Sequence, residues 1–186
     1  MGVLTIRVLG DPVLRQETEP LSGMTPELRR LVDDMFDTMH AAKGIGLAAP
    51  QVGRRERLAV IEIEGHQVVL VNPEIVATSG KSKREEGCLS IPDVYADVQR
   101  PGVVRVRALD ADFRPFEIEA GDLMGACLQH EIDHLHGKLF LDHLSILKRR
   151  RALAEWDEIK GDYPDFRRDL SKADLDAHPS REDESL

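Results

Sequence analysis

Two histidines four residues apart, with a glutamate beside the first, form the pattern in this sequence that most directly suggests chemistry. His130 and His134 enclose Glu131 in an H-E-x-x-H motif within a largely apolar segment. On an α-helix, residues four apart lie one turn above each other on the same face. The two imidazoles can therefore bind one metal ion, with Glu131 beside it as a candidate general base. The pattern predicts a metal site rather than a polar helix surface.

A catalytic site of this kind usually has three protein ligands and an open position for water, so a third ligand is needed. The metzincin pattern would continue to a third histidine, but that position is Phe140, which cannot bind a metal. A thermolysin-like site takes a glutamate from farther along the chain, where Glu155 and Glu158 lie on a predicted amphipathic helix. Those two glutamates remain candidates.

The two cysteines, Cys88 and Cys127, are further candidates for the third ligand. Cys127 shares a predicted helix face with His130, but about 7.5 Å of axial rise separates it from the level of the metal. A cysteine side chain and a bond of about 2.3 Å do not cover that distance comfortably, so Cys127 is interpreted as a small buried apolar residue. Cys88 lies between predicted strands and can approach the helix from another direction. The residue pattern alone leaves Cys88 and the two glutamates as alternatives.

Helix signals place the motif within a larger framework. A first helix is predicted from Pro26, after the N-cap residue Thr25. The H-E-x-x-H helix is predicted from Asp122 to about His136, and a last helix follows the N-cap residue Ser145. The sequence therefore predicts an N-terminal helix, a motif-bearing helix and a C-terminal helix.

Alternating apolar segments predict strands between and after these helices. The predicted strands cover residues 58–63, 67–71, 74–77, 103–109 and 116–120, with a polar loop at 79–84 and a short strand at 139–141. Strands around a few helices, without βαβ alternation, predict an α+β fold in which antiparallel β-sheets pack around the central H-E-x-x-H helix. Residues 1–160 are expected to form a single catalytic domain, and residues 161–186 a polar, frayed tail.

Composition narrows the classes of function. The chain has 186 residues and a net charge of −9, which suits one acidic domain and argues against general nucleic-acid binding. No apolar run approaches the ~18 residues of a membrane span, and the first residues lack a signal-peptide pattern. Two cysteines are too few for a disulfide scaffold. A cytoplasmic protein without a DNA or membrane partner is expected.

Three motifs taken together resemble the bacterial-type peptide deformylases. They are GIGLAAPQ at residues 44–51, EGCLS at residues 86–90 and QHEIDH at residues 129–134, and the resemblance covers most of residues 3–145. It implies a metallohydrolase that removes the formyl group from the N-terminal formylmethionine of newly made polypeptides. A metal-stabilised binding module is the non-enzymatic alternative, but such a site does not need the carboxylate of Glu131.

The resemblance also implies roles for the metal-binding residues. The metal ligands are then Cys88, His130 and His134, and Glu131 is the catalytic acid–base. These ligands suit zinc, iron, cobalt and nickel alike, but the resemblance favours Fe²⁺ as the native ion, with Ni²⁺ or Co²⁺ as substitutes and Zn²⁺ often poorly active.

The same resemblance assigns residues around the metal. Gln51 and the backbone N–H of Leu89 match positions that bind the reacting carbonyl oxygen, and Gly46 matches a backbone contact with the substrate. Ile45 and the helix residues before His130 are expected to line a pocket for the methionine side chain.

Two further expectations concern charged residues. A pairing of Asp133 with Arg100 is predicted. The basic cluster at residues 148–151 is interpreted as a solvated helix face or, as with terminal helices of some relatives, as a contact with the ribosome near its exit.

Overall fold

The structure is a computed structural model that describes residues 2–170. These residues form an α+β fold with antiparallel sheets and three α-helices. The helices are α1 (Pro26–Ala41), α2 (Asp122–Leu135) and α3 (Ile146–Ile159). The strands are β1 (Ile6–Arg7), β2 (Gly46–Ala48), β3 (Leu58–Ile63), β4 (His66–Ser79), β5 (Ser82–Cys88), β6 (Ile91–Arg100), β7 (Val103–Leu109), β8 (Pro115–Gly121) and β9 (Arg167–Arg168).

The largest sheet has five antiparallel strands in the order β2–β3–β4–β7–β8. Its β3–β4 and β7–β8 hairpins are built from strands that alternation predicted. β4 is longer than expected, because the predicted segments 67–71 and 74–77 form one strand that continues through two register irregularities. The sheet supplies the surface on which α1 and α2 are placed.

The two faces of this sheet pack against different helices. Leu58 and Val60 of β3 lie in one apolar cluster with α1, whereas Ala59 and Ile61 lie in another cluster with α2. Side chains of a strand alternate between its faces, so one apolar strand serves two cores. The motif-bearing helix α2 is thus fixed on one face of the sheet, with Leu128 and Leu135 fully buried against it.

The β5–β6 hairpin stands apart from the large sheet and packs on α3 through a third apolar cluster. The prediction of a polar loop at 79–84 is wrong, because only residues 80 and 81 separate β4 from β5. Strand β5 belongs to a two-stranded ribbon and alternates partly buried with exposed side chains. Most of these side chains are charged, so the segment lacks the apolar alternation by which strands were predicted. This hairpin carries Cys88 at the end of β5.

The predicted strand at residues 139–141 is also wrong, since residues Phe140–His143 form a 3-10 helix. The backbone N–H of Leu139 donates to the Asp142 carboxylate at 2.8 Å and closes the turn. Leu139, Phe140 and Leu141 are all buried in the third cluster, so their apolar character reflects core packing rather than a strand.

Helix beginnings agree with the predicted caps. The Thr25 hydroxyl accepts from the Leu28 N–H at 3.2 Å, and the Ser145 hydroxyl accepts from the Lys148 N–H at 3.4 Å. No helix within residues 2–170 is both long enough and apolar enough to cross a membrane.

The first part of the predicted tail has regular structure. Residues Lys160–Asp162 and Pro164–Phe166 form 3-10 turns, and β9 pairs antiparallel with β1 at the opposite end of the chain. Residues 171–186 lie outside the described residues. The division into a domain at 1–160 and a tail at 161–186 stays a prediction.

Candidate active site

Two elements bring a thiol and two imidazoles together. Cys88 ends β5, and His130 and His134 lie one turn apart on α2. Their potential ligand atoms all lie within 4.8 Å of one another, and Cys88 Sγ is 3.3 Å from His134 Nε2. Tetrahedral ligands with bonds of ~2.3 Å to sulfur and ~2.0 Å to nitrogen lie about 3.5 Å apart. The cluster fits one metal ion of this kind.

The His130 ring is oriented by a carboxylate behind it. Glu86 Oε2 lies 3.1 Å from His130 Nδ1, which leaves Nε2 to face Cys88 and His134. A carboxylate on the far nitrogen is the usual support for a histidine that binds a metal. The donor set and this support both suit a metal site.

Glu86 belongs to a buried network of charges. Arg100, whose side chain is 4% exposed, donates to Glu86 at 2.6 Å and to Asp133 at 2.8 Å. Asp133 also contacts His143 Nε2 at 2.7 Å. Burial alone would raise the pKa of Glu86, but hydrogen bonds from His130 and Arg100 lower it. The predicted pairing of Asp133 with Arg100 is confirmed, and it joins the motif helix to β6.

Glu131 lies at the floor of the site, where it is 3% exposed. Its Oε2 is buried and has no hydrogen-bond partner within residues 2–170. Burial raises the pKa of this carboxyl group to about 7. The position depends on Gly46, because a Cβ atom there would overlap Glu131 Oε1 and crowd Cys127 Sγ. Glu131 therefore lines the same cavity as Cys88 and His130, and its Oε2 forms no hydrogen bond to another described residue.

The Gln51 amide is held with its N–H₂ group towards Cys88. Its Oε1 accepts from the Ala48 N–H at 2.8 Å, and its Nε2 donates to Ser90 Oγ at 3.2 Å and to Cys88 Sγ at 3.6 Å. This contact fixes which end of the amide faces the site. Gln51 is buried in the 3-10 helix Ala49–Val52, directly after β2.

A cavity of about 490 Å³ opens beside these groups. Its apolar lining includes Ile45, Leu89, Leu123 and Ala126. Ile45 is 41% exposed at the rim, and the Leu89 side chain packs against Gly44 so closely that a Cβ atom at residue 44 would displace its end. The cavity extends from Glu131 and the Cys88 cluster to this apolar wall.

The remaining candidates for metal binding lie elsewhere. Cys127 is buried, its pKa is raised by burial, and its Sγ contacts the Ile45 carbonyl oxygen at 3.8 Å rather than joining the cluster. Glu155 lies on α3 in an ion pair with Arg151 at 3.0 Å, and Glu158 is exposed on the same helix. Nothing in these positions supports a thermolysin-like site.

Several residues near the site were not singled out by the sequence. Glu86 stands in the EGCLS motif two residues before Cys88, but no strand was predicted there and β5 has a register irregularity between the two residues, so alternation could not assign it to the site. His143 and Arg168 carried no signal. Their positions depend on the 3-10 helix at 140–143 and on the pairing of β9 with β1. Neither feature can be predicted from a local sequence pattern.

A thiol and two imidazoles that can hold a metal ion, with a carboxylate in the same cavity, are the groups that metal-assisted hydrolysis requires. The fold and the site therefore indicate the class of metal-dependent hydrolases. Sequence comparison gives the family: a model described as Polypeptide deformylase matches residues 3–150, and the chain belongs to that family. Peptide deformylases are metal-dependent enzymes that remove the formyl group from the N-terminal methionine of nascent polypeptides.

Named relatives agree with this assignment. The chain is 51% identical over 159 residues to a peptide deformylase of Hydrogenovibrio crunogenus, covering 84% of this chain and 94% of that one. It is 52% identical over 163 residues to a peptide deformylase of Alkalilimnicola ehrlichii, covering 86% and 92%. The crystal structure of a peptide deformylase from Legionella pneumophila has 48% identity and a TM-score of 0.83, covering 86% of this chain and 96% of that chain.

Proposed function

We propose that the deformylation reaction of this chain takes place in the cavity beside Cys88, His130 and His134, with these three residues as the metal ligands and α2 as the central helix of the site. The observation that carries the proposal is the meeting of their ligand atoms within 4.8 Å in a cavity also lined by Glu131, whose buried Oε2 has no hydrogen-bond partner within the described residues. A closed structural site would have no use for that carboxylate.

Cys88, His130 and His134 would hold a divalent metal, which would supply water activation and polarisation of the formyl group. Glu131 accepts the proton of the attacking water and later delivers it to the departing methionine amine. Its raised pKa, caused by burial, suits a group that must both take and give a proton. Gly46 serves this role indirectly, since its missing side chain leaves the space that the carboxylate occupies.

Negative charge develops on the formyl oxygen during the reaction, and two donors are proposed to stabilise it. They are the Gln51 amide, aimed at Cys88 by the Ala48 N–H, and the backbone N–H of Leu89. Losing one such donor typically costs ~10²–10³ in rate. The backbone of Gly46 is proposed to contact the substrate main chain from the opposite wall.

The methionine side chain is proposed to occupy the apolar part of the cavity. Ile45 borders it on one side, and Leu123 and Ala126, one turn or more before His130 on α2, border it on the other. Ala126 is small, so it leaves depth for an unbranched side chain. Cys127 completes this wall as an apolar residue.

The native ion is proposed to be Fe²⁺, with Ni²⁺ or Co²⁺ as working substitutes and Zn²⁺ as a poor one. Iron beside a cysteine thiolate is oxygen-sensitive, because both the ion and the sulfur can oxidise. Turnover of iron, nickel and zinc forms at matched occupancy, before and after exposure to air, tests this. An equally active zinc form together with an air-stable iron form would overturn the choice of metal but not the reaction.

The setting is proposed to be the cytoplasm, next to the ribosome. The cluster Lys148, Arg149, Arg150 and Arg151 is exposed at the start of α3, although Arg149 and Arg151 also form ion pairs with Asp142 and Glu155. Clustered cations on an acidic protein suit contact with RNA phosphates.

The proposed function is tested by formate release from a short formyl-methionyl peptide, with metal content measured on the same sample. We expect release in proportion to occupancy, and no cleavage of the internal peptide bonds. Peptide-bond cleavage without formate would point to a metallopeptidase instead.

A further inference from the structure

The C-terminal segment of the described chain reaches the active-site cavity. β9 lies beyond residue 150, where the family match ends, yet Arg168 is part of the cavity wall. Arg168 is partly buried, and its Nη1 donates to the backbone oxygen of Leu89 at 3.4 Å. Leu89 directly follows Cys88, so this guanidinium lies beside the proposed reaction centre.

Several contacts fix the segment in place. β9 pairs with β1, with Ile6 opposite Arg168, and the Val8 N–H donates to the Phe166 carbonyl oxygen at 3.0 Å. The Phe166 ring lies so close to residue 10 that only glycine fits there. Tyr163 stacks on Trp156 of α3, with 5.7 Å between the ring centroids. Arg168 is therefore held in place by tertiary contacts within residues 2–170.

The charge of Arg168 is available to a ligand. Within residues 2–170 its guanidinium forms no ion pair, and the Leu89 carbonyl occupies only one of its five N–H groups. Of the other cations on the cavity wall, Arg84 is already paired with Asp122 at 3.1 Å. Lys43 also lines the cavity, next to residue 44. The acidic residues of the lining are Glu85, Glu86, Asp93 and Glu131, of which Glu86 is paired with Arg100 and Glu131 is the proposed acid–base.

We propose that Arg168 is a specificity-determining residue that favours substrates carrying a carboxylate downstream of the formylmethionine. The inference rests on the proposed placement of formyl group and methionine side chain in this cavity. With those two groups at Cys88 and Ile45, the rest of the peptide must leave over the rim, where the guanidinium fork can bind a carboxylate with two hydrogen bonds. An acidic side chain in the second to fourth residue is the chemical group that it recognises.

The test compares matched formyl-methionyl peptides, amidated at the C-terminus, with Glu or Gln placed in turn at the second, third and fourth residue. Formate release is measured for the full-length wild type and for Arg168→Ala, Arg168→Lys and Arg167→Ala. Arg167 is the control, because it is exposed and its side chain points to the other face of the same strand.

We expect the wild type to prefer Glu over Gln at one of these positions by up to about fivefold, as for a solvent-accessible ion pair. The preference should appear mainly in KM and should shrink as the salt concentration rises. Arg168→Ala should abolish it, Arg168→Lys should retain part of it, and Arg167→Ala should leave it unchanged.

Equal rates for Glu and Gln at every position in the wild type would overturn the proposal. So would a preference that persists in Arg168→Ala, or one that Arg167→Ala removes equally. If Arg168→Ala does not fold, the lysine variant and the salt series decide the same question. The neutral Gln peptides distinguish the proposed active site from the proposed role of Arg168. If they release no formate, the proposed active site is contradicted and the role of Arg168 is not.

Discussion

Glu86 Oε2 lies 3.1 Å from His130 Nδ1, while Oε1 of the same carboxylate accepts from Arg100 at 2.6 Å. One buried carboxylate thus connects a proposed metal ligand to a buried guanidinium. Through Arg100 and Asp133 the connection returns to α2 three residues farther along. The hairpin that carries Cys88 and the helix that carries both histidines are therefore held together by these charged groups.

Replacing Arg100 by Met should destabilise the protein strongly, because the buried carboxylates of Glu86 and Asp133 lose the guanidinium between them and keep only His130 and His143 as partners. Breaking a buried pair in this way costs ~3–5 kcal/mol of unfolding free energy. Denaturant unfolding measures it. Arg107→Met is the matched control, since its pair with Glu117 is exposed and such pairs contribute less than ~1 kcal/mol. Equal losses in both variants would contradict the assigned importance of the buried network.

Glu131→Gln should keep the fold and the metal but lose deformylation. The amide has nearly the same shape, yet it cannot accept the water proton or return it to the amine. Proton transfer of this kind contributes ~10²–10⁴ in rate, so formate release should fall at least a hundredfold. Glu158→Gln, on the exposed part of α3, serves as the control. Activity of Glu131→Gln within tenfold of the wild type would rule out the proposed role.

Cys88→Ala should abolish tight metal binding, whereas Cys127→Ala should keep it and cost only packing. The reason is position, since Cys88 Sγ lies 3.3 Å from His134 Nε2 while Cys127 Sγ faces the Ile45 carbonyl. Metal content after dialysis distinguishes the two.

Metal content after dialysis also decides whether the third ligand is Cys88 or one of the glutamates Glu155 and Glu158. Glu155→Ala and Glu158→Ala should retain metal as the wild type does. A requirement for either glutamate, with Cys88 dispensable, would revive the thermolysin-like alternative.

Reversing the charges of Lys148, Arg149, Arg150 and Arg151 to Glu should weaken co-sedimentation with ribosomes, most visibly at low salt. Turnover on a free formyl peptide should not change, because α3 contributes none of the proposed ligands. Reversal of four other exposed arginines, Arg29 and Arg30 on α1 and Arg105 and Arg107 on β7, changes the net charge by the same amount and is the control. Unchanged co-sedimentation would contradict the proposed contact between this basic cluster and the ribosome.

Local signals predicted the helices well and the connections poorly. The caps at Thr25 and Ser145 and the H-E-x-x-H spacing act within one or two turns, so they can be read from the sequence. The segment at 139–141 was misassigned because burial in a 3-10 turn and burial in a strand leave the same apolar run. The hydrogen bond from the Leu139 N–H to the Asp142 carboxylate distinguishes the 3-10 turn from a strand, and it is seen only in the folded chain.

The candidate site shows the same division. The motifs contained Cys88, His130 and Glu131, but the residue pattern could not choose the cysteine over the glutamates without the resemblance. Glu86 could not be assigned from the sequence pattern, because strand β5 was not predicted. Arg168 could not be assigned either, because it reaches the cavity only through the pairing of β9 with β1, across most of the length of the chain.

Removal and return of the metal on one sample tests the central claim most directly. The protein is stripped with a chelator, its fold is followed by circular dichroism, and formate release from a formyl-methionyl peptide is measured before stripping, after stripping and after addition of Fe²⁺ or Ni²⁺ without oxygen. The account predicts that stripping stops formate release while the folded spectrum remains, and that the added ion restores release in the wild type but not in Cys88→Ala. Formate release that continues in the metal-free protein, or unfolding that accompanies metal loss as in a structural site, would contradict it.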